Sequence, residues 1–289
     1  MSVQTTPVAS RLASGGEQRR PWSYAWRRAR SRIPLWHLLW LLVGALVFLV
    51  PLYALVQYSF SGLASGQSPF HWYLTVFDDP QFGTSFWMSL QIALETVVVG
   101  LLLMVPTAFW VHLRLPRLRP AMDLVSVLPF VVPPIVLIVG LIAFLRPFTW
   151  LIDRPEVLAL IYVVFALPFL YRSLDAGLRA MDLQTLTEAA ESLGSSTART
   201  LFTVVLPNLR AAIIGGALLT VAIAMGEFTI ASLLAFNTYP VYIYNIGTSQ
   251  SYEAGALSVI SLLLTWGAML ALFVLGRGGR TPTQTGIIK

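Results

Sequence analysis

Glu95 and Glu227 are carboxylates set inside long apolar runs. In a membrane such a group is costly unless paired, hydrated or neutral, so each marks either a solute or proton path or a hydrogen bond between helices. Each lies about nine residues from the outer end of its run, about 14 Å deep at helical rise, and the two could face one another across a cavity. Both are carried as pathway candidates, together with Pro133 and Tyr239. Little other chemistry is open to the chain. There is no cysteine, which removes thiolate nucleophiles, thiolate metal sites and disulfides. His37, His71 and His112 fall on different segments without ligand spacing and read as boundary residues, so no metal site is expected. The only lysine is Lys289, which leaves no Walker A loop to hold nucleotide phosphates. No GxSxG elbow or HExxH helix is present, and no catalytic residue is assigned. Asp123 and Asp175 stand near arginines and read as solvated or paired.

A third acidic group sits in a polar interruption, Glu188 to Pro207. Leu183, Leu186, Ala190 and Leu193 recur at spacings of three and four, which predicts a short helix with one apolar stripe. Glu188 and Glu191 then lie on or beside its other face. Gly194 follows the last apolar position, where a helix end calls for a left-handed residue. Ser195 and Ser196 can cap a second short helix, and Pro207 stands where a new helix can begin without needing its N–H. The pattern is Glu188-Ala189-Ala190, three residues, Gly194, nine residues, then Val204-Val205-Leu206-Pro207. It resembles the cytoplasmic coupling loop of permeases of binding-protein-dependent ABC importers, with Val204 where the family has Ile. The resemblance implies that Glu188, Ala189, Ala190, Gly194, Leu206 and Pro207 dock into a cleft on a separate ATP-hydrolysing subunit and pass its movement to the membrane helices. An ordinary surface hairpin would show the triplet without the fixed gaps to Gly194 and to the Leu206-Pro207 pair.

The elements that must carry these groups are membrane spans. Of the 289 residues 56% are hydrophobic and 11% charged, a composition that buries its apolar surface in lipid and in its own bundle. An all-α polytopic fold is expected. Its six spans fall at about 35–58, 86–111, 122–145, 157–178, 211–236 and 254–275, each long enough for a hydrocarbon core of roughly 30 Å. The first run is too long for a signal peptide and lacks a small-residue cleavage pattern. Residues 59–85 form a polar loop without Lys or Arg. The third span contains Pro129, Pro133 and Pro134, which predict a kink where neighbours or a cavity satisfy the freed backbone. Tyr239, Pro240, Tyr242 and Tyr244 form an aromatic outer loop, either a gate or partner contact or an interfacial belt.

The formal charge of +6 invites a nucleic-acid reading, but its distribution argues for lipid. Residues 1–34 hold seven arginines against Glu17 and read as a disordered cytoplasmic tail that touches anionic lipid. With both termini cytoplasmic, 17 of the 19 Lys and Arg residues fall on the inner side. The same orientation puts the 181–207 loop in the cytoplasm. The organisation expected is a tail at 1–34, a permease domain at 35–276 and a second tail at 277–289.

The segment Gly226 to Asn245, GEFTIASLLAFNTYPVYIYN, resembles the branch of these permeases serving polyamines, ferric iron, thiamine and related solutes. Two carboxylates at matched depth with no basic partner favour a cation, and on that ground a polyamine is chosen. The family resemblance implies a multi-pass protein of the bacterial inner membrane. It also implies a second permease subunit, similar or identical, two ATPase subunits that hold ATP and Mg, and an extracytoplasmic solute-binding protein. No cofactor is expected on this chain. Two rival classes are an intramembrane enzyme, for which no triad or ligand cluster is present, and a secondary transporter driven by protons through Glu227.

Overall fold

A computed structural model describes residues 35–277. The tails expected at 1–34 and, apart from Arg277, at 277–289 lie outside the described residues. The chain divides into two units, residues 1–52 and 53–289. The described part of the first belongs to helix α1 (Leu35–Ser59), an apolar helix of 25 residues with Pro51 inside it.

The regular elements among the described residues of the second unit are all helices. After α1 come α2 (His71–Asp78) and α3 (Pro80–Leu113), then a 3-10 turn at Pro116–Leu118. Next are α4 (Arg119–Val131), α5 (Pro134–Leu145), α6 (Thr149–Ile152) and α7 (Glu156–Arg179). The order closes with α8 (Leu183–Ser192), α9 (Thr197–Thr200), α10 (Leu206–Gly226), α11 (Thr229–Leu233), α12 (Tyr239–Ser249) and α13 (Ser251–Arg277).

Three segments depart from the sequence reading. The polar stretch at 59–85 contains α2, and α3 begins at Pro80, because the Asp79 carboxylate accepts from the Gln81 N–H at 2.8 Å and Pro80 supplies a preset first turn. At 122–145 there are two helices bent by 92° rather than one kinked span. Pro134 disfavours helical backbone at the residue before it, and Pro133 is extended at ψ 133°. At 211–236, α10 ends at Gly226, and Glu227 turns extended at ψ 120° before the short α11. The aromatic stretch from Tyr239 is accordingly the first turns of α12, not a loop.

Among the described residues four helical stretches are long and apolar enough to cross a membrane, at 36–59, 80–113, 156–179 and 197–233, and there are five if the bent α4–α5 pair counts as one span. The sixth expected span falls within α13, a helix of 27 residues.

Helix α7 is the spine. It packs on α3 and α10, and most of its apolar side chains are buried. Gly177 permits the tightest part of the α7–α10 contact: a Cβ there would stand 2.7 Å from Ala212 Cβ and 2.8 Å from Leu209 Cδ2. One turn away, the Ser173 hydroxyl donates to the Ala212 carbonyl at 2.7 Å. Small residues and interhelical hydroxyl bonds of this kind replace the hydrophobic effect that lipid withholds from helix pairs. One buried cluster joins α3, α5, α7, α11 and α12 around Ile92, Tyr162 and Ile230. Another, around Phe109, Tyr171, Leu174 and Val205, joins α3 and α7 to the loop at their far end.

Candidate functional site

The loop between α7 and α10 is built from its caps outward. The Asp182 carboxylate accepts from the Thr185 hydroxyl at 2.7 Å and from the Thr185 N–H at 3.3 Å, closing the N-terminus of α8. Those two bonds, the hydroxyl first, hold the Asp182 carboxyl below the usual carboxylate range. At the other end Gly194 is left-handed at φ +81°, as expected. Its N–H donates to the Glu191 carbonyl at 2.9 Å, and the Ser195 N–H donates to Ala190 at 3.0 Å. This paired closure satisfies carbonyls that the helix end would leave open. Ser196 accepts from the Arg199 N–H at 3.3 Å and opens α9. A wide turn at Leu201–Val205 then leads into α10, with Pro207 in its first turn.

Leu183 and Thr187 point inward, and Leu201, Val205 and Leu209 pack against Leu174 and Leu178 of α7. The loop is thus fastened to the spine. Glu188 and Ala189 are exposed on its free face, Ala190 is half-buried, and Leu206 and Pro207 lie at the start of α10. Leu193 corrects the expected apolar stripe: it caps the helix and is 89% exposed, while Thr187 takes an inward place. Phe202 is 68% exposed on the same loop. Glu191 is the loop's tie, accepting from the Thr197 hydroxyl at 3.2 Å and standing 4.0 Å from Arg114 beyond the end of α3. Asp182 went unmarked in the sequence, although an Asp immediately before the first periodic apolar residue is a helix-start signal.

Glu227 occupies the break between α10 and α11. Its carboxylate accepts from the Tyr162 hydroxyl at 2.8 Å, from the Ile230 N–H at 2.9 and 3.1 Å, and from the Ala231 N–H at 3.3 Å. It therefore caps α11 and ties it to α7. Glu95 lies on the opposite kind of surface. It is half-buried on α3, accepts from the Gln91 side chain at 2.9 Å, and borders a shallow concavity of about 370 Å³ with Trp87, Leu94 and Val98. No hydrogen bond joins Glu95 to Glu227 among the described residues. Pro133 is exposed at the α4–α5 bend. Tyr239 is buried, with its hydroxyl accepting from Ser261 at 2.9 Å.

A further polar group joins α3 to α7 near the loop. His112 is 4% exposed, with Nδ1 2.8 Å from the Ala108 carbonyl and Nε2 2.9 Å from Asp175 Oδ1. Arg179 closes on the same carboxylate at 2.8 Å. His112 is thus a buried bridge between helices rather than a boundary residue, and no cluster of metal-ligand type occurs among the described residues.

Residues 104–277 match the family model described as binding-protein-dependent transport system inner membrane component. The chain is 29% identical over 221 residues to the spermidine/putrescine transport system permease protein PotB of Escherichia coli K12, covering 68% of this chain and 78% of that protein. Against PotB of Haemophilus influenzae the identity is 32%, and the match spans 54% of this chain and 60% of the relative's length. Against the molybdenum transport system permease protein ModB of Mycobacterium tuberculosis it is 30% identical over 226 residues, covering 71% of this chain and 82% of ModB. Among solved structures, a chain of a bacterial ABC transporter involved in the import of the acidic polysaccharide alginate superposes with a TM-score of 0.66 at 16% identity, covering 89% of this chain and all of that one.

Proposed function

The chain belongs to the family of binding-protein-dependent transport system inner membrane components, the permease subunits of ABC importers, and on that premise we propose how it couples and what it carries. The 181–207 loop is the docking element for a separate ATPase subunit. The observation that carries this is the capped α8, which turns Glu188, Ala189 and Leu193 outward while Leu183, Leu201 and Val205 anchor it to the spine. An apolar tip such as Leu193, flanked by acidic side chains, suits a cleft on a protein partner better than water. The loop faces the cytoplasm, as the arginine distribution favours.

In the assembly a second permease subunit completes the pathway, two ATPase subunits bind ATP and Mg, and an extracytoplasmic protein delivers the solute. ATP closes the ATPase pair, the loops move together, and the helices tip from inward-open to outward-open. Released solute enters the cavity and is carried inward on hydrolysis.

The solute is a polyamine. Glu95 supports this reading: a half-buried carboxylate near the middle of α3, bonded among the described residues only to Gln91, supplies a negative contact for an ammonium group. PotB, at 29% identity, transports spermidine and putrescine by its name. Glu227, engaged by α7 and α11, holds the pathway wall rather than the solute.

Co-purification tests the coupling: the tagged chain should bring an ATPase with it, and vesicles without ATP should move no solute. Uptake in ATP-free vesicles driven by a proton gradient would replace this reading with a secondary transporter. A thermal-shift screen of the associated binding protein against spermidine, ferric iron and thiamine tests the solute, and stabilisation by either of the latter two alone would overturn the polyamine.

A further inference from the structure

The His112 ring is enclosed by groups that can only accept. Nδ1 faces the Ala108 carbonyl at 2.8 Å, and Nε2 faces Asp175 Oδ1 at 2.9 Å. A neutral imidazole carries one N–H, so one of these contacts would set a lone pair against an oxygen. Protonating Asp175 instead is disfavoured, because the Arg179 guanidinium lies 2.8 Å from the same carboxylate. All the contacts are satisfied together only when the ring is an imidazolium. The side chains of His112 and Asp175 are 2% and 15% exposed, so the pair is shielded from the solvent that makes surface ion pairs weak.

The position of this pair matters as much as its charge. His112 is in the last turn of α3, two residues before Arg114, which reaches Glu191 of α8. Asp175 and Arg179 are in the last turns of α7, immediately before the Asp182 cap of the same loop. Arg119, the first residue of α4, donates to the His112 carbonyl at 3.2 Å. Three helices that cross or enter the bundle therefore meet where the loop is attached.

We propose that His112, as an imidazolium, is a positioning residue that locks α3 to α7 through Asp175 and so transmits movement of the α8 loop into the bundle as one body. This rests on the coupling function proposed for that loop. The charged groups placed against it are Asp175 of α7, with Arg179 on the same carboxylate, and Arg119 of α4, on its carbonyl.

The test uses the assembled importer in proteoliposomes and needs no knowledge of the solute. Gln91→Cys introduces a single cysteine into a chain that has none. Its reaction rate with a membrane-impermeant maleimide is measured with ATP and vanadate and without them. With His112 intact the ratio of the two rates should depart from one. His112→Ala should reduce the ATP-driven change about five-fold while ATPase activity persists. His112→Gln keeps a donor for Asp175 and should retain most of the change. An undiminished ratio in His112→Ala, or a His112→Gln ratio of one, overturns the proposal. The second outcome can be read even if His112→Ala does not assemble. If the chain with His112 intact brings no ATPase or shows no ATP-driven change, the coupling function itself fails, and the strut with it.

Discussion

Tyr162 donates its hydroxyl to Glu227 across 2.8 Å, and in doing so fastens α7 to the break between α10 and α11. Tyr162 is 2% exposed, and the carboxylate it meets also receives the first free amides of α11. Tyr162→Phe should cost about 1.5–3 kcal/mol, the range for a hydrogen bond to a charged group, and Glu227→Ala should cost at least as much because it frees the amides as well. Thermal unfolding in detergent reads both. A Glu227→Ala chain that melts like its parent but no longer supports uptake would return this carboxylate to the solute path.

Glu95 should behave in the opposite way. Among the described residues its bonded partner is Gln91, so Glu95→Gln removes charge while leaving a hydrogen-bonding pair and should leave the melting temperature unchanged. Losing one charge-assisted contact to an ammonium is worth about 1.4 kcal/mol, or about tenfold in apparent affinity for spermidine. Uptake at limiting solute in proteoliposomes measures it, and an unchanged affinity removes Glu95 from the pathway.

On the coupling loop, Glu188→Arg reverses an exposed charge and Gly194→Asp puts a side chain at φ +81°, where only Gly sits without strain. Both chains should insert into the membrane and both should uncouple ATPase activity from uptake. Leu193→Asp, at an 89% exposed position, should lower the amount of ATPase that co-purifies without changing the melting temperature. Normal transport in the Glu188 and Gly194 variants defeats the assignment of this loop.

The parts of the molecule legible in the sequence were those set by local rules. Gly194 announced a left-handed helix end, Pro207 a helix start, and the long apolar runs gave the approximate positions of the helices. What stayed hidden depended on partners distant in the chain. Nothing near Glu227 points to Tyr162, 65 residues away, and nothing near His112 points to Asp175, 63 residues away. Periodicity also misplaced Leu193, because the three-and-four rule holds only while the helix lasts, and the chain had already turned into its cap. The prolines of the third span predict a kink, and the two adjacent rings Pro133 and Pro134 make it a bend of 92° between separate helices.

Asp182 makes the loop's order depend on acid. Its carboxyl is held below the usual range by the Thr185 hydroxyl and amide, so the folded loop favours the ionised form. The stabilisation is fully present above the unfolded-state pKa and is lost as the pH falls through the lower, folded-state value. The protection factors of the α8 amides should therefore fall on the acid side, below the ordinary carboxylate range. Asp182→Ala should show low protection at every pH, and Asp182→Asn, still able to cap, should lose the acid step while staying protected near neutrality. An acid step that survives in Asp182→Asn would assign it to another group.

The α7–α10 contact can be tested by adding a single methyl group at two places. In an unobstructed helix interior, Gly→Ala is stabilising by about 0.4–1 kcal/mol, because it restricts the unfolded chain. Gly140 in α5 has nothing within 4 Å of an added Cβ, so Gly140→Ala should raise the melting temperature. Gly177 is in the same helical conformation, but its Cβ would meet Ala212 Cβ at 2.7 Å and Leu209 Cδ2 at 2.8 Å. Leu209 can turn; the Ala212 methyl cannot, so the helices must separate, and overpacking of this kind costs about 1–3 kcal/mol. Gly177→Ala should therefore lower the melting temperature, and it should also weaken the 2.7 Å bond from Ser173 to the Ala212 carbonyl. Adding Ser173→Ala to the Gly177→Ala chain should then cost less than Ser173→Ala alone. Additive costs would mean that α10 absorbs the methyl without moving from α7.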